Sequence, residues 1–351
     1  MAVGTALPKH RYPQAQVTQM LTGVLGVTDR QRALVERVHR NAGVGHRHLV
    51  RPLEDYADLG DFGARNDIFL AEGVELGSQA LLQALADAGL EPEDVDLIVS
   101  TTVTGIAVPS IESRVAARIG LRDDVKRVPL MGLGCVAGAA GIARVHDYLV
   151  GHPDEVAVLL SVELCSLTLQ RDDTSTANIV ASGLFGDGAA AVVLSGAHRP
   201  PGAGAAPQPL VLASRSRRYP DTERAMGWDV GPGGLRIVLG VEVPELVRDH
   251  VRDDVDSFLA RHDLTRSDIG WWVAHPGGPK VLEAMAEALE VERDALGVTW
   301  ASLDDIGNLS SASVLHVLRD TLRDRPPVSG TYGMLLAMGP GFCLEMVLLQ
   351  A

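Results

Sequence analysis

The chain has 351 residues, 46% of them hydrophobic and 22% charged, enough apolar material for one large core or two fused ones. A formal net charge of -14 excludes nonspecific nucleic-acid binding, because the average surface repels phosphate. Three cysteines cannot build a disulfide framework and point to a reducing, cytoplasmic location, and no apolar run reaches the length of a membrane span.

In chain order, residues 1–8 (MAVGTALP) predict a first strand entering a turn and not a signal peptide. Residues 20–75 lack strand periodicity and are read as helical with a charged surface. Within them Arg32, Arg37, His39, Arg40, His46, Arg47, His48 and Arg51 form a basic stretch inside an acidic chain. Such a stretch is either a solvated helix face balanced by Glu36 and Glu54 or a phosphate-binding surface, work to which arginine is suited. No carboxylate or cysteine stands at ligand spacing from His46 and His48, which argues against a metal there. Residues 84–99 (ALADAGLEPEDVDLIV) read as helix end, acidic turn and buried strand.

Cys135 follows in GCVAGAAG (residues 134–141), where a glycine-rich turn runs into a helical pattern. Only the thiolate attacks well, and the unpaired N–H groups of a helix start stabilise that anion. Residues 156–160 form an apolar strand, after which Glu163 is expected to be buried and hydrogen-bonded. Asp187, in the FGDG turn of residues 185–188, is read as turn chemistry and not as a catalytic acid. Residues 200–207 (PPGAGAAP) are a low-complexity hinge between residues 1–199 and 208–351. His275 ends the apolar run WWVAH (residues 271–275) ahead of a Pro-Gly-Gly turn, which sets its ring at the edge of a sheet. A neighbouring imidazole of that kind completes the activation of a thiol. Asn308 sits in GNLSSA (residues 307–312), another turn opening a helix, where an amide donates to a developing oxyanion without titrating. Cys343 follows a Gly-Pro-Gly turn in a strand and is read as core.

Three segments recur in the same order. Residues 84–99 parallel 258–273, the Gly134-Cys135 turn parallels Gly307-Asn308, and Phe185-Gly186-Asp187-Gly188 parallels Met338-Gly339-Pro340-Gly341. A duplicated α/β unit accounts for this, and it puts the nucleophile and the amide at equivalent places in the two halves.

On these segments the chain resembles the type III polyketide synthases, the chalcone-synthase-like branch of the thiolase fold. The resemblance implies an αβαβα five-layer fold built from two duplicated halves, 1–199 carrying the cysteine and 208–351 carrying the histidine and asparagine, and a cytoplasmic homodimer. It implies that Cys135 is the nucleophile, held as an ion pair with His275, and that His275 and Asn308 support decarboxylation of malonyl-CoA and its condensation with an acyl-CoA starter, with no cofactor and no metal. Cyclisation to a pyrone or resorcinol-type ring would follow. Phe185 and Ile237 fall at the family's two gate positions, the second of which is otherwise phenylalanine. Thr104, Cys165, Thr168, Trp228 and Ser310 fall at or near cavity positions, and Met338, Gly339, Pro340 and Gly341 stand for the family's Gly-Phe-Gly-Pro-Gly loop. Arg40 and Arg47 are the candidates for anchoring CoA phosphates. Ile237 removes an aromatic stacking partner, so an aliphatic starter is expected ahead of a bulky aromatic one, with malonyl-CoA as its own starter the alternative. Two other readings remain open: a β-ketoacyl-carrier-protein synthase of the same fold, in which the histidine precedes Gln-Ala-Asn instead of Pro-Gly-Gly, and a non-catalytic acyl-CoA-binding protein.

Overall fold

The structure, a computed structural model, describes residues 1–200 and 208–351; the hinge read in the sequence lies, apart from Pro200, outside the described residues. In the first half, strands β1 (Ala2–Ala6), β2 (His10–Pro13), β3 (His46–Leu49), β4 (Leu97–Thr101), β5 (Lys126–Leu130), β6 (Val156–Leu164) and β7 (Asp187–Ser195) are joined by helices. Five of them form a sheet in the order β1-β7-β6-β4-β5, and β2 pairs with β3 apart from it. The second half contributes β8 (Leu210–Arg218), β9 (Met226–Gly231), β10 (Gly234–Leu239), β11 (Ile269–Ala274), β12 (Tyr332–Gly339) and β13 (Cys343–Gln350). Its main sheet runs β11-β12-β13-β8, and β9 and β10 make a separate hairpin.

The two sheets repeat one plan. A parallel pair, β4 with β6 or β11 with β12, is followed by an antiparallel return, β7 or β13, and by an antiparallel flanking strand, β1 or β8. The duplicated segments fall where the sequence repeat puts them. The helix Phe62–Ala88 ends on the left-handed Gly89, and a one-turn helix, Pro92–Asp94, leads into β4; Val243–Leu259 and Arg266–Asp268 lead likewise into β11.

Burial explains the stacking. β6 and most of β7 are buried on both faces, the pattern of strands covered on both sides. One core joins the inner faces of both sheets through the helices Ala137–Gly151 and Ser313–Asp324. A second lies under the helices Phe62–Ala88 and Ile111–Ile119 on the outside of the first sheet, and a third under Val243–Leu259 and Pro279–Leu289 on the outside of the second. The layers are therefore helix, sheet, helix, sheet, helix. The two central helices begin at the Cys135 and Asn308 turns, so the duplication brings both turns to the middle of the molecule.

Two expectations for the first half need correcting. The stretch 20–75 is mostly helical but includes the strand β3, whose alternation buries Arg47 and Leu49 on one face. Asp187 is no turn former: it opens β7 fully buried, accepting from the backbone N–H of Val50 and of Ser166 and from the Ser166 hydroxyl.

Candidate active site

Cys135 stands in the short turn Gly134–Val136 that leads into the helix Ala137–Gly151. Gly134 has φ +55°, and a Cβ there would come within 2.8 Å of Pro340. Behind it Gly339 packs against the same turn, where a Cβ would lie 2.7 Å from the Val136 nitrogen. The Gly-Pro-Gly loop thus braces the nucleophile turn through missing side chains. The thiol is 8% exposed, and its recorded partner is the Ser310 hydroxyl at 3.7 Å.

The Asn308 turn is tied across the two halves. Asn308 N–H donates to Leu184 O at 2.8 Å, and Gly186 N–H donates to Asn308 O at 2.9 Å, which fixes Phe185 beside it. Its side-chain oxygen accepts from the Ser310 N–H at 2.8 Å and the Ser313 hydroxyl at 3.3 Å. With the carbonyl end held by donors, the amide NH₂ is the end left for the cavity. Ser310 carries φ +49°, a left-handed conformation rare outside glycine, at the residue that meets the thiol. His275 follows β11 and keeps the sheet register, donating N–H to Leu336 O at 2.8 Å, and its Nδ1 is buried without a partner.

All three side chains line one cavity of about 430 Å³, within the range of small-molecule sites. Phe185, Ile237, Cys165, Trp228, Ser310, Met338 and Pro340 line it too, so seven of the cavity positions share its wall with the trio. Trp228 and Ile237 face each other as cross-strand partners in the β9–β10 hairpin. Thr104 does not line it. Its hydroxyl is spent on Glu163 (3.0 Å), and it borders a smaller pocket with Thr168. Gly339 and Gly341 shape the loop without facing the cavity.

The phosphate-anchor candidates are displaced. Arg47 is 2% exposed, and its Nη1 donates to the carbonyls of Ser182 (2.6 Å) and Phe185 (3.0 Å), which leaves it no access to a ligand at the surface. Arg40 is exposed but off the cavity wall. The cations on that wall are Arg37 and Lys280, both exposed. Arg37 belonged to the basic stretch, one helical turn before Asn41, which also lines the cavity, and nothing in the sequence set it apart from Arg40. Lys280 had none beyond its place after the Pro-Gly-Gly turn.

Burial also alters the charge state. It pushes the Cys135 thiol up to about 12 and the His275 imidazole down to about 3. Burial thus disfavours the charged form of each group taken singly, which works against the resting ion pair expected. Glu163, buried as expected, accepts from Val103 N–H (3.1 Å), Thr104 Oγ1 (3.0 Å) and Ser311 Oγ (2.5 Å), and burial raises its pKa. Among the described residues no group of three or more His, Cys, Asp or Glu side chains is placed to hold a metal ion.

The sequence profile of the chalcone and stilbene synthases, N-terminal domain, matches residues 1–198, and that of their C-terminal domain matches 210–351. The chain belongs to the chalcone and stilbene synthase family. It is a type III polyketide synthase with the thiolase-like fold, a condensing enzyme of the acyltransferase kind. It is 54% identical to a 1,3,6,8-tetrahydroxynaphthalene synthase of Streptomyces peucetius subsp. caesius over 99% of this chain and 92% of the relative. A 3,5-dihydroxyphenylacetyl-CoA synthase of Streptomyces toyocaensis is 33% identical, covering 100% of this chain and 89% of its own. The crystal structure of the 1,3,6,8-tetrahydroxynaphthalene synthase from Streptomyces coelicolor A3(2), 29% identical, superposes with a TM-score of 0.93 over 99% of this chain and 98% of that one.

Proposed function

We propose that Cys135 carries the acyl group, that His275 takes the thiol proton as the sulfur attacks the starter thioester, and that His275 and the Asn308 amide then stabilise the enolate formed when malonyl-CoA loses carbon dioxide. The observation that carries this reading is the convergence of the three side chains on one cavity, with the Asn308 carbonyl end already occupied and its NH₂ free to donate. A neutral imidazole suits the first step, since it is able to accept a proton. The enolate carbon attacks the Cys135 thioester, releasing the thiolate and leaving the lengthened chain on CoA, from which it is transferred back to Cys135 for another round. CoA thioesters are substrates here, and the proposal calls for no metal and no organic cofactor. Arg37 and Lys280 at the mouth are suited to the CoA phosphates.

For the substrates, we favour malonyl-CoA as both extender and starter over an aliphatic acyl-CoA. Similarity to a tetrahydroxynaphthalene synthase supports it. That compound has oxygen on alternate carbons of two fused rings, the pattern of a folded poly-β-ketone made of two-carbon units alone, and each ring is resorcinol-like. Incubating the protein with malonyl-CoA alone, and then with acyl-CoA competitors, tests this by mass spectrometry. A ten-carbon aromatic product from malonyl-CoA alone is expected, and a requirement for an acyl-CoA starter overturns it.

A homodimer belongs to the same proposal. Ile106, Val108, Val128 and Met131 are exposed apolar side chains around the segment 104–109, and Val108 is 93% exposed, a surface that a second copy would cover. No helix is long and apolar enough to cross a membrane among the described residues, and all three cysteines are free. A cytoplasmic enzyme is consistent with both.

A further inference from the structure

The buried arginine of β3 has no part in the chemistry above, yet it carries the least satisfied charge in the interior. Its guanidinium gives Nη1 to two backbone carbonyls, while Nε and Nη2 are buried without any partner. Those two N–H groups form one edge of the planar fork, the edge that meets a carboxylate with two parallel hydrogen bonds. The charge has not been neutralised by burial: the pKa falls only to about 10. Asp187, the carboxylate whose field Arg47 feels, has its oxygens engaged by Val50, the Ser166 N–H and the Ser166 hydroxyl. A buried cation with an empty fork costs free energy that an anion placed there would recover.

Arg47 lines a side pocket of about 40 Å³, room for one or two polar groups, whose far wall is Val17, Met20 and Leu21. Cys165, Phe185, Trp228 and Ile237 line both this pocket and the main cavity, so the pocket adjoins the space that holds the thiol. An acyl chain on Cys135 that passes these four side chains would run toward Arg47.

We propose that the Arg47 pocket is a subsite for the free carboxylate of a dicarboxylic monoacyl group, so that the synthase loads carboxylate-ended starters in preference to neutral ones of equal length. The inference rests on the reading of Cys135 as the acyl-carrying thiol, and it gives malonyl a physical reason to act as starter. The pocket end is read by chain length, since only one spacing between thioester and carboxylate spans thiol and fork.

The test is covalent loading measured by intact-protein mass, without extension. The protein is incubated with matched pairs, malonyl- against propanoyl-CoA, succinyl- against butanoyl-CoA and glutaryl- against pentanoyl-CoA, and the initial rates of mass gain on Cys135 are compared. The wild type is expected to favour at least one carboxylate-ended partner by about 10-fold or more, the scale of a charge-assisted hydrogen-bond pair. Arg47→Lys keeps the charge but loses the fork, and Val17→Phe fills the pocket while leaving Arg47 in place; each is expected to lower that ratio toward one. Should Arg47→Lys fail to fold by circular dichroism, Val17→Phe still decides. Equal loading of both partners in the wild type, or a preference that survives in the folded variants, overturns the inference and leaves the pocket a site for water only. No acyl transfer to Cys135 from any thioester would instead overturn the reading of the thiol on which this one stands.

Discussion

At the residue scale the site depends on two groups whose charge burial suppresses. With burial pushing the thiol up to about 12 and the imidazole down to about 3, proton transfer is expected to accompany the attack on the thioester and not to precede it. Alkylation of Cys135 by iodoacetamide is then expected to quicken roughly tenfold per pH unit from pH 7 to 10, since the rate follows the thiolate fraction below the pKa. Peptide mapping over that range checks it; a rate already level at pH 7 would restore the ion pair. Cys343, half-buried and pushed up only to about 11, is expected to compete as a target, so alkylation alone does not mark the nucleophile. Function does: Cys135→Ala should yield no polyketide at all, because the acyl intermediate has nowhere to form. Asn308→Ala should slow malonyl-CoA decarboxylation by about 10²-fold or more, the cost of one lost oxyanion donor, while leaving the thiol titration in place. Decarboxylation at the wild-type rate in Asn308→Ala would remove the amide from the mechanism.

At the scale of elements, the two central helices are set by glycines that let their first turns touch. A Cβ on Gly138 would lie 2.3 Å from the carbonyl of Ser311 and 2.6 Å from Val314, so the cysteine helix and the asparagine turn meet through backbone contact. Gly138→Ala must push them apart. It is expected to cost about 1–3 kcal/mol of stability, the range for overpacking a close-packed core, and to lower turnover more than substrate binding because Cys135 and Asn308 separate. Thermal melting alongside kcat and KM tests this, and unchanged kcat with lowered melting would confine the glycine to packing. The glycine turns and the ordered repeat were legible because each is a local pattern that one fold uses twice, and the Pro-Gly-Gly after His275 because it is a turn signal that ends an apolar run. Arg47 was not legible as a buried group. It sits in a run of arginines and histidines that reads as one solvated face, and only the four-residue alternation of β3 turns it inward with Leu49. Thr104 misled for a related reason: its hydroxyl turns to the buried Glu163, whereas Thr168, its hydroxyl on the Cys165 carbonyl, lines the side pocket of Arg47 and not the main cavity.

At the scale of the whole molecule, the duplicated halves share one core through the two central helices, so unfolding one half exposes the inner face of the other and a single cooperative transition is expected. The exposed apolar rim about Val108 bears on assembly: light scattering at micromolar concentration is expected to find a dimer for the wild type and a folded monomer for Val108→Asp, and a monomeric wild type would remove the interface. Three buried histidines should also weaken the fold in mild acid. Burial holds the folded-state pKa of His39 at about 4 and of His275 and His316 at about 3, below the unfolded value of 6.5. At these histidines the unfolded chain thus binds more protons below pH 6.5, and their share of stability declines as pH drops from there toward 3. Asp187 runs the other way: its folded pKa of about 6 lies above the unfolded 3.8, so it gains stability as pH falls through 6. Glu163, Asp320 and Glu345, whose pKa values burial also raises, run with Asp187, so the histidine contribution is read from a variant and not from the net slope. His316 separates the terms cleanly, since it lies off the cavity wall, is fully buried, and has only the Ala189 carbonyl for Nε2 while Nδ1 has no partner. In His316→Gln the fall in melting temperature between pH 6.5 and 4 should be shallower than in the wild type. An equally steep fall in the variant would mean that the proton taken up on acid unfolding is bound elsewhere.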